Sequence, residues 1–237
     1  MGLPKIDLPI FEAEIISSGD KVRYRPFTVK EEKILLMAQE TNEGDQILLA
    51  MKQLVNNCCV SDINVDELPL FDLEYLLLQI RGKSVNNIIS FTITDPDTNN
   101  PVQCEINIED ISLTIPDNHS KEIIINEESR LLMKYPKLDQ MKMFLSTIDP
   151  DVNPVDILFN VMIGCIDCVV VGDEVQTLSD FSESEVREFI DSLPGSAVED
   201  LKKFFETMPS LSYTLKYTNS DGNDKEMLLE GTESFFL

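Results

Sequence analysis

Arg23-Tyr-Arg-Pro-Phe-Thr-Val-Lys-Glu-Glu-Lys-Ile-Leu-Leu-Met-Ala38 is the stretch that decides how the chain is read. It reads as the end of a strand, a sharp junction and the start of a helix. Side chains alternate along a strand, so Arg23 and Arg25 fall on one side and Tyr24 on the other. Pro26 holds Arg25 extended and ends the ladder, because it has no N–H to give. Thr28 is an N-cap residue, and Glu31 three positions on completes a capping box. Phe27 precedes the cap and is placed to staple onto the helix. Glu31 and Glu32 lie where the helix dipole favours anions, and Ile34, Leu35, Met37 and Ala38 supply an apolar face. The stretch holds no nucleophile, no metal-ligand cluster and no phosphate loop, so it signals construction rather than chemistry. Arg23 and Arg25 leave two readings open: ion pairs with the chain's own Glu31 or Glu32, or a fork offered to a partner's carboxylate or carbonyls.

Upstream, residues 1–10 form an extended arm with Pro4 and Pro9, and Glu12–Ser17 pairs with Lys21–Arg25 around Ser18-Gly19-Asp20 as a hairpin. Downstream, the first helix runs from Thr28 to Thr41. A second, Asp45 to Cys58, carries Ile47, Leu48, Met51, Leu54, Val55 and Cys58 at helical spacing. A third spans Pro69 to Lys83, with Gly82 as its left-handed stop. Ile88–Thr94 and Val102–Ile108 bracket a long turn as a second hairpin, and Ser112–Ile115 and Glu122–Ile125 add strands. Lys137–Thr147 reads as a helix. Val155 to Val170 is the longest apolar run and reads as a buried helix, fraying into strand at Val169–Val171. Ser182-Glu-Ser-Glu185 opens another helix and Pro194 the next. Leu211–Thr218 and Glu226–Leu229 form a last hairpin. The expected class is α+β: several antiparallel β-hairpins packed with about six to eight helices. The turn cluster Asp149–Pro154 is the one candidate boundary, dividing 1–148 from 149–237, with one continuous domain as the alternative.

Nineteen Lys and Arg against 43 Asp and Glu give a net charge of −24. Such a surface repels nucleic acid and anionic membranes. The acidic residues are spread along the chain and mixed with apolar ones, which fits solubility better than a decoy for a DNA-binding protein. No apolar run reaches transmembrane length, and the opening residues hold no signal-peptide core. Five cysteines with no regular framework point to a reducing compartment.

The catalytic candidates fail on context. Cys165-Ile-Asp-Cys168 has redox spacing, but it ends an apolar run and carries Asp167 inside it, which raises thiol pKa values. As half of a zinc site it lacks two further ligands, since Cys104 and His119 are isolated and Cys58-Cys59 are adjacent. Buried structural cysteines are the simpler reading. His119, between Asn118 and Ser120, reads as a solvated loop histidine. Asp95, Asp97 and Asn99 resemble a calcium loop, but Asn100 and Ile106 stand where Gly and Glu are required. No catalytic, cofactor or metal residue is assigned, and no small-molecule substrate is implied.

The string Tyr24 to Ala38 resembles the base plate protein family of T4-like myoviruses, the baseplate hub assembly proteins. The resemblance continues through Asn56-Asn57-Cys58, Leu76 to Val85, Glu188 to Leu193, Lys203-Phe204-Phe205 and Met208-Pro209, to Leu229-Glu230-Gly231 and Phe235-Phe236. It implies a non-enzymatic protein acting in assembly of the central hub, as assembly chaperone or minor hub component. Its partners would be other baseplate hub proteins, and its place the host cytoplasm during assembly or the virion tail. It leaves Arg23, Arg25, Glu31 and Glu32 as candidate partner-binding residues, and a thiol-disulfide enzyme using Cys165 and Cys168 as the alternative. Some relatives carry paired cysteines in the middle hairpin that suggest a zinc knuckle. Here Thr94–Thr98 has none, and the last hairpin offers only Asn219 and Ser220, so no metal is expected.

Overall fold

Apolar spacing in the first half of the chain builds helices, and turn residues cut the remainder into hairpins. The computed structural model describes residues 6–41, 44–138, 140 and 154–231. Among them are six α-helices and eleven strands, and every strand pair is antiparallel. The class is mixed α+β, as the sequence predicts. The sequence boundary at 149 falls in a stretch outside the described residues. By contacts the chain forms two compact units, Met1–Thr114 with Ser210–Leu237, and Ile115–Pro209.

In the first unit, β1 (Phe11–Glu14) and β2 (Lys21–Tyr24) form a hairpin whose turn has Gly19 at φ 77°. Helices α1 (Val29–Thr41), α2 (Gly44–Cys58) and α3 (Leu70–Ser84) follow. Helix α3 is buried nearly all round, through Phe71, Leu73, Leu76, Leu77, Leu78 and Ile80, which is how a helix between two layers looks. Its Leu78 joins a core with β3 (Ile88–Thr94), β4 (Pro101–Asn107), β5 (Ser112–Thr114), β10 (Ser210–Thr218) and β11 (Asp224–Glu230). Thr114, where the chain leaves this unit, is the register partner of Ser210, where it returns.

In the second unit a four-stranded sheet runs in the order β6 (Glu122–Ile124), β7 (Ser129–Met133), β8 (Ile166–Val171), β9 (Glu174–Thr177). Helices α4 (Pro154–Gly164), α5 (Glu183–Asp191) and α6 (Gly195–Glu206) complete it. Leu131, Met133, Met162, Cys165, Ile166, Val169, Ala197, Leu201 and Phe204 are buried together. Ser182 and Glu185 form a full capping box at the start of α5.

Four local readings need correction. Gly82 lies inside α3, which continues to Ser84; an added Cβ there would meet Asn87 Oδ1 at 3.1 Å, so close approach explains the glycine. The apolar run 155–170 is not one helix, because α4 stops at Gly164 and β8 begins at Ile166. Gln140 Nε2 donates to Gly164 O at the break, and Val169–Val171 prefer strand. Met37 is exposed; the face that α1 turns inward is Glu31, Ile34, Leu35 and Ala38, spaced i, i+3, i+4, i+7. Strands β7 and β9 were not read from the sequence. The 137–147 helix falls mostly outside the described residues, as does Phe235-Phe236-Leu237.

Leu215 and Leu131 are almost fully buried in the two cores. Leu215→Ala and Leu131→Ala should each destabilise their unit by about 2–5 kcal/mol, read as a lower urea midpoint. A change within about 0.5 kcal/mol would contradict these cores.

Candidate functional site

The junction after β2 gathers polar groups from β2, α1, α2 and α3. Tyr24 bridges Cys59, the Arg25 N–H donates to Cys58 O at 2.9 Å, and the Val60 N–H donates to Arg23 O at 2.8 Å. The chain leaving α2 thus lies along β2. The Arg25 guanidinium fills the corner. Nη1 donates to Pro26 O at 2.8 Å, and Nη2 donates to Asn57 O at 2.9 Å and Glu31 Oε1 at 3.1 Å. One cation therefore ties the end of β2, the first turn of α1 and the last turn of α2. At Asn57 it meets an orphan carbonyl at the end of a helix whose dipole favours positive charge.

Glu31 is 2% exposed, on the inward stripe of α1. Its Oε2 accepts from the Thr28 N–H at 2.8 Å and the Thr28 hydroxyl at 2.5 Å. At α5 the Ser182 N–H and hydroxyl donate to the Glu185 carboxylate in the same way, and the Glu185 N–H donates back to Ser182 Oγ at 3.4 Å. Burial pushes the Glu31 carboxyl up. The bonds from Arg25 and Thr28, with the Arg25 charge, outweigh it and hold the carboxyl at about 2. The Phe27 N–H donates to Ser84 Oγ at 2.8 Å, so the junction also reaches the end of α3.

Of the four candidate partner-binding residues, Arg25 and Glu31 meet each other inside the junction, while Arg23 and Glu32 are exposed. Arg23 forms no ion pair among the described residues.

Two further clusters were missed by sequence reasoning. Asp95, fully buried, accepts from Tyr217 Oη at 2.7 Å, the Thr98 N–H at 3.0 Å, the Thr98 hydroxyl at 2.7 Å and Asn219 Nδ2 at 3.4 Å. These bonds clasp the β3–β4 turn to the β10–β11 turn. The bond to Thr98 leads in holding the Asp95 carboxyl below its usual range, against burial. The bond to Asp95 likewise pushes the Tyr217 hydroxyl up to about 12. Asn219 Oδ1 also accepts from the Asp221 and Asn223 N–H groups. The positions where a zinc knuckle would sit carry this oxygen-and-amide clasp, have no thiols, and use their donors on one another. They do not fit a zinc ion, and no group of ligating residues suited to a metal occurs among the described residues.

His119 is not a solvated loop residue. Its ring stacks on Tyr135 and Phe204, with centroids 5.7 Å and 5.4 Å away. Thr207 Oγ1 donates to Lys203 O at 2.7 Å, so it accepts from His119 Nδ1–H at 3.0 Å. That tautomer leaves Nε2 to accept from the Tyr135 hydroxyl at 3.0 Å. Burial first, and the Lys121 charge second, push the imidazole pKa down. Cys58, Cys104, Cys165 and Cys168 are buried as well, and Cys59 is half-buried. Burial pushes Cys165 up to about 12, Cys58 to about 12 and Cys59 to about 11, and it raises Cys168. These shifts run opposite to those of a reactive thiol.

The geometry defines a class first: a protein whose strongest polar clusters close its own junctions. The chain belongs to the family described as T4 bacteriophage base plate protein, whose model matches residues 8–237. No curated protein and no solved structure matches it.

Arg25→Met or Glu31→Gln should each destabilise the first unit by about 2–3 kcal/mol, and the double variant by less than the sum. Additive losses in urea titrations would contradict a shared junction. The unfolded chain takes up a proton on His119 more readily than the folded one, near the ordinary value of 6.5. The stabilisation is therefore present above that pH and is lost as pH falls through it. In His119→Phe the stability difference between pH 7.5 and 5.5 should shrink, measured by urea unfolding at both pH values; an unchanged difference would contradict the neutral, packed imidazole.

Proposed function

We propose that this protein is a non-enzymatic factor in assembly of the central hub of the phage tail baseplate, working by binding other baseplate proteins. The family match across nearly the whole chain carries this reading. The inward-facing polar clusters support it, because Arg25, Glu31, Asp95 and His119 each have their hydrogen-bonding groups engaged within the fold. The raised thiol pKa values favour packing over exchange chemistry at Cys165 and Cys168. What the protein offers a partner is surface: Arg23 and Glu32 beside the junction, and apolar Ile6 and Ile10 in the segment before β1. No helix among the described residues is long and apolar enough to cross a membrane. The proposed setting is the host cytoplasm during assembly, with the tail baseplate as the place of any retained copies.

The test is a phage deleted for this gene. Tails should stop before a complete baseplate forms, and infectivity should return on expression of the intact chain but fall about ten-fold or more with folded Arg23→Glu. Complete, infective tails without the gene would overturn the assembly role. Mass spectrometry of purified particles separates a hub component, which stays, from an assembly factor, which does not.

A further inference from the structure

Strand β11 lies at the outer edge of the β5–β10–β11 sheet. Its pairing with β10 runs unbroken from Asp224 to Glu230, with no proline and no bulge. The Gly231 N–H donates to Leu211 O at 3.0 Å, which sets the phase of the ladder. Polar groups of successive residues point to opposite sides of a strand, so Lys225, Met227 and Leu229 turn theirs to β10. Those of Asp224, Glu226 and Leu228 point outward, and no strand pairs with them among the described residues. Natural edges are blunted by a bulge, a proline, a very short strand or charged side chains. This seven-residue edge has only the last, in Asp224, Lys225, Glu226 and Glu230, which restrict what can pair with it rather than closing it.

The side chains indicate what fits. One face of the edge carries Asp224 and Glu226 next to Leu228, which is 59% exposed. Asp224 accepts from the Thr218 hydroxyl at 2.9 Å, and Glu226 meets Lys216 of β10 at 3.0 Å in a solvent-exposed pair that holds weakly, so the face keeps a net acidic character. On the other face Met227 and Leu229 belong to the apolar core. A second copy of β11 would set carboxylate against carboxylate, between chains that each carry −24. The chain's own residues after Gly231, Thr-Glu-Ser-Phe-Phe-Leu, bring another carboxylate and no cation. We propose that β11 takes up an extended segment of a partner protein as an added strand. That segment carries Lys or Arg beside Asp224 and Glu226, and apolar residues at the alternate positions, where they extend the Met227–Leu229 face. The inference rests on the assembly reading only for the source of the segment, another baseplate protein.

The probe is a ten-residue peptide alternating Lys and Val, added to the full-length chain and followed by amide exchange. In the free protein the Glu226 and Leu228 amides should exchange much faster than those of Met227 and Leu229. The peptide should slow them by about ten-fold or more. The same peptide N-methylated at alternate residues keeps its charge but loses backbone bonding, and should have no such effect. Leu228→Pro removes one outward donor without touching the β10 ladder, and Glu226→Lys reverses a charge; each should weaken binding. Equal protection by the N-methylated peptide would reduce the effect to charge and overturn the proposal. So would slow exchange of Glu226 and Leu228 in the free chain that disappears on truncation after Gly231, or binding that both variants leave unchanged. In the phage, folded Leu228→Pro should block assembly. If it complements while the deletion does not, the edge is wrong and the assembly role stands.

Discussion

The pair formed by Arg25 and Glu31 sets the geometry on which the first unit depends. A carboxylate sits on the inward stripe of α1, where an apolar side chain is the rule, and it is tolerated because three donors meet it. Once Glu31 is fixed, Arg25 has one place to go, and its remaining donors fall on Pro26 and Asn57. The direction in which β2 ends, the start of α1 and the end of α2 are then coupled through a single guanidinium. Lysine has the charge but not the planar fork, and reaches fewer of these acceptors at once.

The same device recurs with different chemistry. Asp95 holds two hairpin turns together in the first unit, and His119 holds the loop before β6 to Tyr135 and the end of α6 in the second. In each case a buried polar group takes several partners, so its desolvation is offset and one arrangement is favoured over slipped alternatives. The open edge of β11 is the complement of that closure: a row of backbone groups at which the same chain leaves bonding capacity outward.

Much of this was legible in sequence where local signals agree. Pro26, Thr28 and Glu31 placed the start of α1 within a residue, and Ser182 with Glu185 did the same for α5. The α+β class followed from hairpins alternating with helical spacing. Other elements lacked a local signal. All four residues of β9 are exposed, so no alternation marks it as a strand; the turn at Gly172 and pairing with β8 create it. Gly82 looked like a stop because its need for close approach lies with Asn87 and Ile108, outside the helix. Asp95 and Asn219 are 124 positions apart, and His119 and Thr207 are 88 apart, separations that no spacing rule spans. Of the four residues picked at the junction, sequence placed them correctly in the chain but could not say that two face inward and two outward.

Whether the junction is closed as described is read most directly from the Glu31 carboxyl itself. A carbon-detected NMR titration of that side chain should give a midpoint near 2, and Arg25→Gln should move it up towards the ordinary 4.5. A midpoint near 4.5 in the unaltered protein, unmoved by Arg25→Gln, would mean that Arg25 and Glu31 do not hold the junction, and the account of the first unit would fall with it.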